Sequence, residues 1–159
     1  MRPRDTLRYI GQAVAHPPPH ANGWDWVAWT LRLVLMVVHL AFSLPAIIRP
    51  NIPLLYPSFS AFDDSIPFSA WGAGGVLAAL LLWLLPPRVP FGLLSTAYSA
   101  FYLYLIGAMY QQSAGLLPGT LLYRSFGIMS GLLFMRALWI WAEQKTWFRV
   151  HVMREKHGR

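Results

Sequence analysis

The sequence predicts an all-α fold, an integral membrane four-helix bundle, and two observations lead to this prediction. The chain is 56% hydrophobic and only 12% charged, whereas charged residues make up about 25% of a typical soluble domain. Its apolar residues also gather in four runs, each close to the ~20 residues that a helix needs to cross a bilayer. Because lipid offers the backbone no hydrogen-bond partner, such runs are expected to be helical. The predicted spans cover residues 27–48, 68–85, 91–110 and 118–141.

The two middle spans are the clearest of the four. Residues 68–85 and 91–110 contain no charged side chain, and Pro86-Pro87-Arg88-Val89-Pro90 joins them. This proline-rich joint cannot continue a helix and is long enough only to turn the chain back. We therefore expect a membrane-spanning helical hairpin with one arginine at its tip.

The first span carries a stripe of partly polar residues. Its members recur at spacings of four and three, which places them on one side of a helix. A stripe of this kind is better turned toward protein than toward lipid. Pro45 lies near the far end of the span and is expected to kink or end the helix. The stripe consists of Asp25, Trp29, Arg32, Met36, His39 and Ser43.

Small residues at four-residue spacing occur in the second and fourth spans. Such spacing lets two helix backbones approach closely. It is also common by chance in apolar sequences, so it indicates close packing and identifies no partner. The candidate packing residues are Gly74 with Ala78, Gly75 with Ala79, and Gly127 with Gly131.

Four ionisable residues fall within the predicted spans: Arg32, His39, Arg124 and Arg136. Arg124 and Arg136 are about 18 Å apart along a helix, less than the ~30 Å of hydrocarbon. Both must therefore reach outward to an interface or find a buried partner. Asp63 or Asp64 could meet Arg124 at one interface.

His39 lies near the middle of the first span, where an ionisable group is a functional candidate. The alternative is a structural, neutral histidine that is hydrogen-bonded to a tyrosine or serine of a neighbouring span. We favour the structural interpretation, because a proton path normally needs several titratable groups.

The charged segments at both ends are expected to lie in the cytoplasm. Residues 1–23 form a basic, proline-rich leader, and residues 142–159 form a basic tail beyond the membrane domain at 24–141. The start of the leader is either an amphipathic helix on the membrane surface or a solvated segment. His16 and His20 flank three prolines and do not share a face in a polyproline helix, so no metal site is expected there.

The distribution of cations predicts the topology. An arrangement with both termini and Arg88 on one side leaves only Arg49 and Arg124 on the other, out of 13 Lys and Arg residues. The positive-inside rule makes the richer side cytoplasmic. We therefore predict a multi-pass protein of the bacterial cytoplasmic (inner) membrane. Orientation and anionic lipid then account for the net charge of +7 without a nucleic acid partner.

No sequence motif indicates catalysis. The chain has no Walker A loop, no GxSxG elbow and no HExxH pair. The absence of cysteine excludes disulfides and thiolate chemistry. Asp63 and Asp64 are adjacent, so in a regular element their side chains diverge, and a solvated loop is the simpler interpretation than paired acid-base chemistry. We expect no enzymatic activity, no metal and no cofactor.

The layout from Leu33 to Trp139 combines several landmarks. A proline- and aromatic-rich loop follows the first span, Trp-Gly opens the second, a basic joint follows, and a glycine-containing turn precedes the last. The landmarks are Pro57-Ser58-Phe59, Pro67, Trp71-Gly72, Arg88, Gly119 with Tyr123, and Arg136-Ala137-Leu138-Trp139. This layout resembles small, holin-like membrane proteins of tailed phages and prophages. The resemblance implies a role in permeabilising a host membrane and supplies no catalytic residues.

Three functional hypotheses follow. The first is a non-enzymatic, holin-like protein that oligomerises through the small residues of the second and fourth spans, with the polar stripe lining a lesion. The second is an accessory or scaffold subunit of a larger inner-membrane complex. The third, ranked lowest, is a proton-coupled transporter centred on His39. The expected partners are the lipid bilayer and either further copies of the chain or another membrane protein.

The four-span topology is testable with reporter fusions. A reporter placed after residue 159 and one inserted within residues 50–67 are expected to lie on opposite sides of the membrane. Alkaline phosphatase and green fluorescent protein report the two sides, since each is active on one side only. Two fusions that report the same side would exclude the four-span arrangement.

Overall fold

A computed structural model describes residues 23–64, 66–85 and 90–144 of the chain. All regular secondary structure in these three ranges is helical, which confirms the all-α part of the predicted fold class. Four long helices are separated by short connections, and three short helical segments lie between the first two. The elements are α1 (Gly23–Ile48), α2 (Ile52–Leu55), a 3₁₀ helix (Pro57–Phe59), α3 (Ser60–Asp63), α4 (Phe68–Leu84), α5 (Pro90–Ala114) and α6 (Pro118–Gln144).

Three of the long helices are long and apolar enough to cross a membrane. They are α1, residues 92–114 of α5 and residues 118–142 of α6. Helix α4 has 17 residues, or about 26 Å of helix. It passes the same test only together with the segment Pro57–Asp63, from which it is bent by 85°. The described chain therefore has three membrane-length helices, or four if this bent pair is one span.

Pro45 does not end α1, which continues to Ile48. The backbone amide of Arg49 donates to the carbonyl of Pro45 at 2.8 Å, so the helical hydrogen bonding persists beyond the proline. A proline deprives only the carbonyl four residues earlier of its helical partner. In this helix that residue is Ala41, which is exposed. The predicted end of the helix at Pro45 is therefore absent, and α1 continues to Ile48.

Two polar contacts define the order of the long helices. The Arg32 guanidinium, near the start of α1, donates to the carbonyl of Leu85 at the end of α4. The Arg136 guanidinium, near the end of α6, forms an ion pair with Asp25 at the start of α1. Helix α1 is therefore antiparallel to α4 and to α6, and the start of α1 lies at the same end of the molecule as the end of α6. The most extensive packing joins α5 to α6 and α1 to α4.

Aromatic side chains form the larger part of the core. The ring of Phe42 on α1 meets Phe68 of α4 edge-to-face at 5.8 Å. The ring of Phe62, which is fully buried, meets Trp71 edge-to-face at 5.6 Å. Such pairs contribute about 0.5–1.5 kcal/mol beyond the burial of their area. A second, aliphatic cluster of Leu35, Leu82 and Leu103 joins α1, α4 and α5.

The segment between α1 and α4 packs into this core. Its short helices turn Phe62 inward, and the Phe62 carbonyl accepts a hydrogen bond from Trp71 Nε1 at 2.9 Å. The amide of Ala61 donates to Ser113 Oγ on α5 at 3.0 Å. Leu54 on the other side is 81% exposed, which leaves it available to lipid. The segment thus closes one end of the helix assembly.

The small residues of α4 let α1 and α5 approach its backbone. A Cβ atom at Gly75 would overlap the Ser43 hydroxyl of α1 and lie 3.0 Å from the Tyr102 hydroxyl of α5. Only a residue without a side chain fits at this crossing. Three other small residues of α4 also lie against neighbouring helices or are buried: Gly74, Ala78 and Ala79.

The two glycines of α6 differ from each other. A Cβ atom at Gly127 would lie 3.4 Å from the Ala100 carbonyl oxygen, so this glycine faces the α5 backbone. A Cβ atom at Gly131 would meet nothing within 4 Å. The GxxxG spacing therefore contributes one residue to the contact with α5 and leaves the other facing outward.

Replacement of Gly75 by leucine is expected to lower the melting temperature of the detergent-solubilised protein. The new side chain would collide with Ser43 and Tyr102, and overpacking of this kind typically costs about 1–3 kcal/mol. Gly131→Leu is the matched control, because its side chain enters open space, and its melting temperature should stay near that of the wild type. The melting temperature of Gly127→Leu should lie between those of Gly75→Leu and Gly131→Leu. Equal melting temperatures for all three variants would contradict the packing described for α4.

Candidate functional site

A buried polar cluster lies where α1, α4 and α5 meet. We define the His39 cluster as His39, Ser43, Ser99 and Tyr102. His39, Ser43 and Ser99 are fully buried, and Tyr102 is 5% exposed. Buried polar side chains in a membrane-length helix are costly unless they find partners, so this cluster is the first candidate for a functional site.

The cluster forms where one face of α1 and one face of α5 meet beside a glycine of α4. His39 and Ser43 are one turn apart and therefore share a face of α1, while Ser99 and Tyr102 share a face of α5. The two faces converge over Gly75 of α4, where no side chain separates them. The polar stripe predicted for the first span is thus turned toward protein at its last two members, His39 and Ser43.

His39 bonds directly to the neighbouring helix. Its Nε2 atom lies 2.8 Å from Ser99 Oγ, and its ring centroid lies 5.5 Å from that of Tyr102. The Tyr102 hydroxyl donates to the carbonyl of Trp71 on α4. The structural interpretation of His39 required a serine or tyrosine from a neighbouring span, and Ser99 is that residue.

Two atoms of the cluster have no hydrogen-bond partner among the described residues. They are Nδ1 of His39 and Oγ of Ser43. A buried polar group left without a partner costs about 1–3 kcal/mol. The cluster therefore joins three helices but is not fully satisfied by the described side chains and backbone.

The two arginines at one end of the molecule have partners within the chain. Arg32 donates to the Leu85 carbonyl, at the helix end where the dipole favours a positive charge. Arg136 pairs with Asp25 across 111 residues, and the two side chains are 28% and 16% exposed. Sequence reasoning placed Asp25 in the polar stripe but missed this pair. The available signal was that Arg136 needed a partner and that Asp25 is the acidic residue of the first span.

Arg124 at the other end does not pair with Asp63 or Asp64, and the suggested pairing is corrected. Arg124 donates to Oε1 of Gln111, and its guanidinium carbon lies 5.4 Å from the ring centroid of Tyr104, within range of a cation–π interaction. Asp63 instead accepts a hydrogen bond from the Phe68 amide at 3.2 Å. The first amides of a helix lack internal partners, so the start of α4, five residues away, is a nearer partner for Asp63 than a distant arginine.

The structure does not gather the four predicted ionisable residues into one site. No described hydrogen bond or ion pair links Arg32, Arg124 or Arg136 to His39. Within the described ranges, no group of three or more His, Cys, Asp or Glu side chains is placed to hold a metal ion. The His39 cluster is therefore a contact between helices and stands apart from the arginines.

A second feature is a cavity of about 100 Å³, which sequence reasoning did not predict. It lies near the end of the molecule that carries Arg124, between α1, the short segment after it and the other long helices. Tyr110 and Tyr123 in its wall stack at 5.4 Å with an angle of 9° between their rings. No local pattern signals this cavity, because its wall comes from six separate elements. The lining residues are Ala41, Phe42, Pro45, Ile52, Phe59, Phe68, Tyr110 and Tyr123.

Comparisons of the chain with known protein families, curated proteins and solved structures found no match. The resemblance to holin-like phage proteins therefore stays a prediction.

The bond between His39 and Ser99 is expected to contribute measurably to stability. His39→Leu leaves the Ser99 hydroxyl without this partner and should cost more than His39→Gln, since a glutamine can still hydrogen-bond. A double-mutant cycle with Ser99→Ala should give a coupling energy of about 0.6 kcal/mol, the average for hydrogen bonds between membrane helices. Thermal unfolding in detergent gives the stability of His39→Leu, His39→Gln, Ser99→Ala and the double variant. Ser125→Ala, on the exposed side of α6, is the control, and strictly additive effects at 39 and 99 would exclude the coupling.

Proposed function

We propose that this chain is a non-enzymatic, four-span protein of the bacterial cytoplasmic membrane that acts as an accessory or scaffold subunit of a larger membrane complex. Both termini would lie in the cytoplasm. The observation that carries the proposal is that the polar residues of α1 are used inside the chain. Asp25 pairs with Arg136, Arg32 with the Leu85 carbonyl, and His39 with Ser99.

The antiparallel order of the helices supports four spans. Arg32 and Arg136 lie toward one end of the molecule, and Arg49 and Arg124 lie toward the other. The remaining cations of the sequence belong to the leader, the tail and the joint, which the four-span order places with Arg32 and Arg136. This partition follows the positive-inside rule. Helix α4 is shorter than the hydrocarbon is thick, a mismatch that local thinning of the bilayer can accommodate at modest cost.

The closed interior favours a subunit over a protein that forms a lesion. Two kinds of surface were expected to serve a lesion: the polar stripe of α1 as its lining, and the small residues of α4 and α6 as its oligomer contacts. His39 and Ser43 of the stripe, and Gly75 of α4, are instead covered by helices of the same chain. To use them for a lesion, α1 would have to separate from α4 and α5. A subunit that binds through its outer faces needs no such opening.

Holin-like self-association is the second candidate, and one observation favours it. The outer face of α6 combines the open position at Gly131 with apolar side chains at Ile128, Leu132 and Met135 that are 63%, 64% and 59% exposed. A second helix could approach the α6 backbone closely at this glycine. The proton-coupled alternative is not carried forward, because the hydrogen bond of His39 leads to Ser99, which does not titrate.

Membrane potential and molecular mass separate the two candidates. The chain is expressed in bacteria while a potential-sensitive dye is followed, and it is then purified in mild detergent and sized by light scattering. The subunit proposal predicts an unchanged potential and a particle containing one copy of the 18.0 kDa chain. A collapse of the potential with a mass of several copies would replace it by the holin-like candidate.

A matched pair of variants tests the α6 face. Gly131→Leu should reduce any multimer, because leucine holds the second backbone away. Gly119→Leu is the control: its side chain also enters open space, but it lies three turns earlier in α6 and should leave the multimer unchanged. If both variants form the same multimer as the wild type, the outer face of α6 is not the contact.

A further inference from the structure

The cavity near the far end of α1 has a floor and a mouth. Phe42 and Phe68 are buried and form the floor, while Ala41 and Pro45 are exposed and form the mouth. The two mouth residues are one turn apart on α1 and therefore share a face. Because α1 is long and apolar enough to span the membrane, a mouth on its exposed face opens toward lipid.

The size and the lining of the cavity suit an apolar group. An engineered cavity of about 150 Å³ lined by aliphatic and aromatic side chains stays dry and binds benzene. This cavity has about 100 Å³ and is open on one side, so a chain longer than the cavity can enter through the mouth. Its wall is built mainly from carbon, with Ile52 and Phe59 contributed by the segment after α1. A section of an acyl chain matches this shape and chemistry.

A cation lies one turn beyond the mouth. Arg49 follows Pro45 by four residues, and its amide bonds to the Pro45 carbonyl, so the helical turn carries it onto the face that holds Ala41 and Pro45. Its side chain is exposed, and no hydrogen bond or ion pair is described for its guanidinium within the resolved part of the chain. Arginine binds phosphate through paired hydrogen bonds.

We propose that this cavity is a binding site for one anionic phospholipid, with part of an acyl chain in the space lined by Phe42, Phe68 and Tyr123 and the phosphate group at Arg49. Charge complementarity selects the lipid class. The cavity accepts any acyl chain, whereas the guanidinium at the mouth favours a headgroup with net negative charge. The site does not depend on whether the protein is a subunit or a holin-like oligomer, since its residues all belong to one chain.

Native mass spectrometry of the full chain tests the site. The protein is released from detergent micelles doped with phosphatidylglycerol or with phosphatidylcholine of identical acyl chains, and the lipid retained per chain is measured. The wild type is expected to retain phosphatidylglycerol about fivefold better, because a cation near the headgroups is worth about 1 kcal/mol toward anionic lipid. Its melting temperature should also rise more with phosphatidylglycerol than with phosphatidylcholine.

Substitutions at Arg49 and at Ala41 test the headgroup contact and the acyl-chain cavity separately. Arg49→Gln should abolish the preference between the two lipids, and Arg49→Lys should restore most of it. Ala41→Phe should block the mouth and reduce retention of both lipids. Val37→Phe is the matched control, since Val37 lies one turn before Ala41, is 66% exposed and is not part of the cavity wall, so this variant should behave as the wild type.

Three results would overturn the proposal. Equal retention of both lipids by the wild type would exclude selection by charge. Retention by Ala41→Phe at the wild-type level would show that the lipid is bound elsewhere on the apolar surface. An unchanged preference in Arg49→Gln would remove Arg49 from the site, and this surface variant is expected to fold even if Ala41→Phe does not.

Discussion

The close approach of α1 and α5 to the backbone of α4 at Gly75 is the constraint on which the rest of the structure depends. Because a Cβ atom there would overlap Ser43, the glycine permits the contact that buries His39 against Ser99. Inside a bilayer the driving force for helix association is packing and polar contact, since lipid is as apolar as the side chains it would replace. No side chain separates the helices at Gly75, so this crossing combines close packing with the hydrogen bond between His39 and Ser99.

Two of the arginines follow the same requirement. Lipid cannot satisfy a guanidinium group, so each of the two bonds to a group on another helix. Arg136 finds Asp25, and Arg32 finds the carbonyl end of α4. These two contacts tie the first, second and last long helices together at one end, while aromatic rings around Phe62 close the other. The protein thus presents lipid with a mostly apolar exterior and keeps its polar contacts inside or near its ends.

Function, on this view, resides at the surface and at the cavity. Residues that a lesion-forming protein would turn outward are here committed to internal contacts, which is why a subunit role is the better proposal. The cavity differs from those contacts because its mouth faces outward and Arg49, which has no ion pair with any residue that the structure describes, lies beside it. Lipid would then be a bound component at one position and only a solvent elsewhere.

The sequence by itself determined the helical class and the positions of the long helices, because length, apolarity and proline breaks act locally. It also indicated that His39 would need a serine or tyrosine from another span. Only the tertiary structure decided that Ser99 is that residue, that Asp25 meets Arg136, and that Asp63 bonds to the start of α4 and not to Arg124. Such partners lie on different helices, and a single sequence carries the periodicity of each helix without its rotation against its neighbours. The sequence did not indicate the cavity for the same reason, since six elements must pack before its wall exists.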